Sequence, residues 1–295
     1  MGKSWATQKV LRYGLDLAAG IDEHWIDLSR NLSEYNRRAY SQGRVYIIKR
    51  MWFQMTAGAP VNVQFSAAPQ TWTTHRAWQL VKNRYDRMVK EALAGTGIEL
   101  PKWHEFKVRL EDDARTDPDV LVLTDSDDNP IPTGEWDYST FTGPSSLPET
   151  GDSFVAHLCG RHNGNAHNRV SVGAIHTLEE VMSREANLTG EPEQAATLPD
   201  NWMLEVGHVD DYVDEIVSDL VTEGDKPPYG RINVPGGELL ASAIFAISNF
   251  DVNTTNVQVL EGPFEIPCGL LKIETNTLAP VDSGANLGIE LMPGP

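Results

Sequence analysis

Apolar positions recur along this chain mostly at a spacing of two, and in two longer stretches at the spacing of a helix. From Arg44 to Ala57 (RVYIIKRMWFQMTA), Val45, Ile47, Met51, Phe53 and Met55 share one parity, interrupted only by Lys49. Tyr46, Ile48, Arg50, Trp52 and Gln54 share the other. Alternation of this kind marks a β-strand with one buried face. Gly58, Ala59 and Pro60 end the run, and Val61 to Phe65 alternates again, which predicts a hairpin. Further strands are expected at Val108–Leu110, Val120–Thr124, Phe154–Gly160, Val170–Ile175, Trp202–Val206, Ala243–Ile247, Val257–Glu261 and Gly269–Glu274.

The first helical stretch runs from about Thr74 to Ala94. Trp78, Val81, Tyr85, Met88, Val89 and Ala92 form an apolar stripe, and Gly95 closes it. Its other side carries Arg76, Lys82, Arg84, Arg87 and Lys90. The second runs from about Asp210 to Thr222, with Val213, Ile216, Val217 and Leu220 inward and acids outward. Asp112–Pro118, Asp125–Pro148, Gly160–Arg169 and Asn187–Pro199 read as long loops, rich in Gly, Pro, Asn, Asp and Ser. Loops of that length sit on rigid scaffolds or carry function. Neither βαβ alternation nor a Gly-rich phosphate loop appears, so the pattern predicts a mainly β protein. Its architecture is a β-sandwich with long loops and two inserted amphipathic helices.

A length of 295 residues fits one large domain or two smaller ones. The net charge of −18 argues against a uniformly basic nucleic-acid binder. The average conceals a split. Residues 1–110 hold 17 Lys and Arg against 9 Asp and Glu, a net of +8, whereas residues 111–295 hold 7 against 33, a net of −26. Any function assigned to the chain has to account for this polarity. The cysteines, Cys159 and Cys268, cannot build a disulfide framework; they read as buried thiols, with a single bridge left open. The first residues (MGKSWATQKVLRYGLDLAAG) lack the apolar core of a secretion signal, and the stretch Leu239–Ile247 is too short to span a bilayer. A soluble product made without a leader is therefore expected.

Few motifs carry recognisable chemistry. His157, His162, His167 and His176 cluster in sequence, but their spacing fits neither a helical nor a β-ribbon zinc pattern. Asp125, Asp127 and Asn129 resemble the opening of a calcium loop. Pro130 and Trp136 stand where an EF-hand needs Gly and Glu, so only a looser calcium site is compatible. There is no GxSxG and no carboxylate pair that stands out in so acidic a segment, and no catalysis is expected. The basic third is more informative. Arg37, Arg38, Arg44, Lys49, Arg50, Arg76, Lys82, Arg84, Arg87 and Lys90 are interleaved with Tyr35, Tyr40, Tyr46, Trp52, Trp72, Trp78 and Tyr85. Cations beside aromatics suit a surface that tracks a phosphate backbone and stacks bases. A solvated basic face paired with the acidic part of the same or a neighbouring subunit gives the same composition.

Several segments together resemble the capsid proteins of small, mostly uncultured single-stranded-DNA viruses. They are Ile26 to Ser33 (IDLSRNLS), Asn36 to Arg38, Tyr40 to Gly43, Thr71-Trp72 with Ala77-Trp78, Pro227 to Tyr229, Pro235 to Gly237 and Pro267 to Leu271. The order and spacing of the set carry the resemblance, which spans residues 25–275. It implies a single jelly roll of two four-stranded sheets over residues 1–295, with 1–25 as an N-terminal extension and 111–150 and 185–235 as elaborated loops. Copies would assemble with themselves into an icosahedral shell, the virion, around a small DNA genome held nonspecifically, with the basic third inward. The resemblance implies no cofactor and no membrane partner, and the host-surface receptor is not named by it. One departure stands out: residues 1–25 hold only Lys3, Lys9 and Arg12, not the Arg-rich arm common among small-virus capsid proteins. The competing class is a β-sandwich that binds or hydrolyses carbohydrate through Trp103, Trp136 or Trp202 and a loop calcium. A phage tail or adhesin component is a third reading.

Overall fold

The computed structural model describes residues 9–17, 20–55, 60–112, 120–144, 151–165, 168–186, 234–238, 245–252, 257–277 and 283–292. Among the described residues, twelve strands and three helices follow in chain order: β1 (Val10–Leu17), β2 (Gly20–Asp27), α1 (Leu28–Asn36), β3 (Val45–Met55), β4 (Val61–Ala67), α2 (Trp72–Leu93), β5 (Thr140–Pro144), β6 (Gly151–His157), β7 (Asn163–Asn165), β8 (Asn168–Gly173), α3 (Ala174–Ala186), β9 (Phe245–Val252), β10 (Gln258–Pro267), β11 (Leu270–Thr277) and β12 (Ser283–Leu291). The protein is mainly β. Two four-stranded antiparallel sheets, ordered β1-β12-β3-β10 and β2-β11-β4-β9, make up the larger part. A smaller mixed sheet, ordered β5-β6-β8-β7, lies in the chain between β4 and β9. Among the described residues no helix is long and apolar enough to cross a membrane.

Strand alternation explains how the two large sheets meet. Leu11, Tyr13, Leu15 and Leu17 of β1 are buried while Arg12, Gly14 and Asp16 are exposed. Phe53 of β3 and Leu287 and Ile289 of β12 join them from the same sheet. Val61, Val63 and Phe65 of β4 and Leu271 and Ile273 of β11 face them from the other. One continuous core therefore lies between the sheets, as in a sandwich. A second core gathers under α2. Ala77, Val81 and Tyr85 pack with Phe106, Val108, Leu158, Ile175 and Leu178, so the small sheet and α3 share one apolar layer with the helix. Trp25 and Leu270 join this layer from the ends of β2 and β11.

Several expectations change. Within the span expected as an N-terminal extension, 1–25, β1 and most of β2 are members of the two sheets, while residues 1–8 lie outside the described residues. No hairpin joins β3 to β4, because β3 pairs with β12 and β10, whereas β4 pairs with β11 and β9 in the opposite sheet. The parity of β3 also switches at Lys49. Against β12, Arg50 faces Glu290 and Ile48 faces Leu291, so Lys49 is an extra, bulged residue. The bulge turns both Lys49 and Arg50 outward and buries Tyr46 and Ile48 together with Met51, Phe53 and Met55. Burying an unpaired ammonium would cost far more than one irregular ladder position.

The predicted helix at 74–94 is α2, capped by Thr71, and its Ala92 is exposed while Ala77 takes a buried place. Val170–Ile175 is half right, since β8 ends at Gly173 and α3 begins at Ala174. Val108–Leu110 and Val120–Thr124 form only isolated bridges. The proposed loop at 160–169 contains β7, and that at 125–148 contains β5. The predicted strand at 202–206, the helix at 210–222 and the loop at 187–199 lie outside the described residues, as does most of 185–235.

Candidate functional site

The region around α1 is organised by one buried carboxylate. Asp27 ends β2 and caps α1, where its Oδ1 accepts the backbone N–H groups of Ser29 (3.0 Å) and Arg30 (3.1 Å). Its Oδ2 accepts from Gln42 Nε2 at 2.7 Å and from Trp136 Nε1 at 3.2 Å. Gln42, fully buried, also holds Val108 on both sides: Oε1 accepts its N–H at 2.7 Å and Nε2 donates to its carbonyl at 3.1 Å. Burial pushes the Asp27 carboxyl above the ordinary range, and the donors around it oppose that rise. Three segments distant in sequence are thus tied to one group: the start of α1, the 106–110 run and Trp136.

Those ties shape a cleft of about 430 Å³. One wall is the end of α1, where Arg37 sits in the left-handed region (φ 52°) and ends the helix by donating its N–H to the Ser33 carbonyl. Arg37 and Arg38 are both exposed there. The second wall carries Trp103, Glu105 and Lys107, and the third Glu135 and Trp136. Lys107 is positioned by reciprocal bonds with Ser139 (2.9 and 3.0 Å), and its Nζ lies 4.3 Å from the centre of the Trp136 ring. Lys102 Nζ lies 4.8 Å over Trp103, which is 66% exposed. Glu34, also on the cleft, is bound to Arg30 at 3.0 Å. A second cleft, of about 550 Å³, shares Trp103, Glu105, Lys107 and Glu135 and continues toward Tyr85 and Tyr138.

The ten predicted basic residues do not form one site. Arg37 and Arg38 line the cleft, and Arg44 is exposed just before β3. Lys49 and Arg50 converge on Glu290 of β12 at 2.9 and 2.5 Å, pulling its carboxyl below the ordinary range. Arg76, Arg84, Arg87 and Lys90 are exposed along α2 and Lys82 is half-buried there; Lys82 pairs with Asp86, and Arg87 with Glu91 at 2.8 Å. Sequence reasoning missed Lys102, Lys107 and the Asp27–Gln42 pair. The adjacency of Lys102 to Trp103 was the one local signal for any of them.

The histidines converge only in part. His162 and His176 stack with ring centres 4.1 Å apart beside Glu180, and His157 lines the same polar pocket, of about 550 Å³. His167 lies outside the described residues. The backbone decides how the stacked pair is protonated. Gly173 N–H donates to His162 Nδ1 (3.0 Å), and His162 N–H donates to His176 Nδ1 (3.1 Å). Each neutral ring must then carry its proton on Nε2. Those protons face Glu180 (3.6 Å) and Glu238 (3.5 Å). A metal on either Nε2 would need the proton moved to Nδ1, against a backbone donor, so this arrangement favours histidine–carboxylate pairing.

Asp125, Asp127 and Asn129 are exposed and form a local turn. Asp125 Oδ1 accepts from the N–H groups of Asp127 (2.8 Å) and Asn129 (3.0 Å), and these bonds lower the Asp125 pKa. These bonds fix the turn through Oδ1, while Oδ2 accepts from Asn129 Nδ2 at 3.3 Å. Cys159 and Cys268 are unbonded and buried; burial raises both thiol pKa values, that of Cys268 to about 12. Trp202 lies outside the described residues. Comparison with family models, with curated proteins and with solved structures finds no match to this chain.

Proposed function

We propose that this chain is a jelly-roll subunit of a virus shell, whose copies self-assemble into an icosahedral capsid around a small DNA genome. The observation that carries the reading is strand order. Counted along the chain, the eight strands of the two large sheets are β1, β2, β3, β4, β9, β10, β11 and β12. The first is hydrogen-bonded to the last, the second to the seventh, the third to the sixth and the fourth to the fifth. A ribbon of four such antiparallel pairs, folded over so that alternate pairs fall in opposite sheets, is the pairing a jelly roll requires, and it supports that reading. That topology also serves lectins and cupins, so topology alone does not give function. The charge split adds the direction: a basic first third suits the genome side of a shell and an acidic remainder suits solvent. The subunit acts by assembly and needs neither catalysis nor a cofactor. Its site of action is the virion, and its other partners are the packaged DNA and a host-surface receptor.

Negative-stain microscopy of the purified full-length protein tests this. Uniform closed particles are expected across a series of salt and pH conditions. A monodisperse monomer under all of them, by light scattering, overturns it.

A further inference from the structure

We propose that the cleft between the end of α1, the 102–107 run and Trp136 is a binding site for single-stranded DNA, taking bases on the two tryptophans and phosphates on Arg37, Arg38, Lys102 and Lys107. Charge and ring geometry argue together. Of the three carboxylates on the cleft, Glu34 is already neutralised by Arg30, which leaves Glu105 and Glu135 against the three lining cations Arg37, Arg38 and Lys107, with Lys102 beside them over Trp103. The tryptophans differ in a useful way. Trp136 is held at its ring edge by the Nε1–H bond to Asp27, so its ring is a fixed platform, whereas Trp103 projects with two-thirds of its surface exposed. Each has an ammonium over its ring, the group that a phosphate requires when a base takes the ring. The neighbouring cleft shares a wall and is the more acidic, adding Asp137, so the strand's phosphates belong at the arginine end.

The carboxylates then have a role of their own. Glu105 and Glu135 accept hydrogen bonds and suit the exocyclic amines of cytosine and adenine, which thymine lacks. The site should therefore prefer amine-bearing bases and exclude duplex, whose bases are stacked on each other. The choice of DNA over RNA and the source of the strand rest on the shell-subunit reading; binding of a single strand is a property of the chain itself.

The test is fluorescence anisotropy with the full-length protein and a labelled 12-mer of deoxycytidine. Trp103→Ala and Trp136→Phe/Lys107→Ala are each expected to weaken binding, the first by about five- to a hundred-fold as for loss of one stacked base. Arg37→Ala/Arg38→Ala is expected to reduce the salt slope by about 1.4, the value for two single-strand phosphates. The 12-mer of thymidine should bind more weakly and the duplex not at all. Trp103 is exposed, so its variant keeps the fold, checked by circular dichroism. Tryptophan variants that bind as tightly as the parent chain overturn the proposal. So does equal affinity for duplex, or displacement of the label by the neutral sugar chitotriose, which would make this a glycan site. Shells that form from a chain with no oligonucleotide affinity overturn the cleft alone, and binding by a chain that forms no shells overturns the subunit reading alone.

Discussion

At Asp27 and Gln42, two polar side chains that an apolar pattern would pass over hold together parts of the protein far apart in sequence. Both are buried, and the bonds between them join the end of β2, the start of α1, Val108 and Trp136. Removing one member leaves buried groups without partners, which costs more than the bonds themselves contribute. Gln42→Ala strips a donor from Asp27 and both partners from Val108, so it is expected to destabilise the fold by about 2–4 kcal/mol in urea unfolding. A loss below about 0.5 kcal/mol would mean that the network is not structural. Both fall in segments that carry the family resemblance, but nothing in the sequence pairs one with the other; their burial and mutual bond do that.

Elements show the same division. β3 was legible as a strand from its alternation, yet its face was not, because a one-residue bulge at Lys49 reverses parity and only pairing with β12 reveals it. The bulge places Lys49 and Arg50 on Glu290. The Glu290 pKa lies below its unfolded value, so the cluster contributes stability above the ordinary carboxylate range, which is lost as pH falls through the folded pKa. Glu290→Gln should therefore lower Tm at pH 7, with the difference from the parent closing in acid; a constant offset down to pH 3 would contradict this. One strand over, Gly288 lies under the Trp52 indole, and a β-carbon there would overlap the ring. Gly288→Ala is expected to destabilise by about 1–3 kcal/mol through overpacking, and adding Trp52→Leu should recover most of it. α2 was readable from its stripe and the closing Gly95. α1 was not, being a single short run with a polar buried side, and β1, β2 and β12 were passed over although β1 alternates cleanly.

For the whole molecule, the question is which way the basic third points. If the shell reading holds, Lys49 and Lys90 should resist a charged, amine-reactive reagent in intact particles and react once the particles are dissociated, as read by peptide mass spectrometry. Equal labelling in both states would place the basic side outward and remove the physical account of the charge split. By itself, the sequence determined the mainly β class, the place of α2, the buried cysteines and the charge asymmetry, because each depends on composition or on the periodicity of one segment. Tertiary structure decided which strands pair, that β3 and β4 belong to opposite sheets, and that Arg37, Arg38, Trp103, Lys107 and Trp136 share one cleft. These are relations between residues dozens of positions apart, set by sheet pairing and by buried hydrogen bonds, and no local period encodes them.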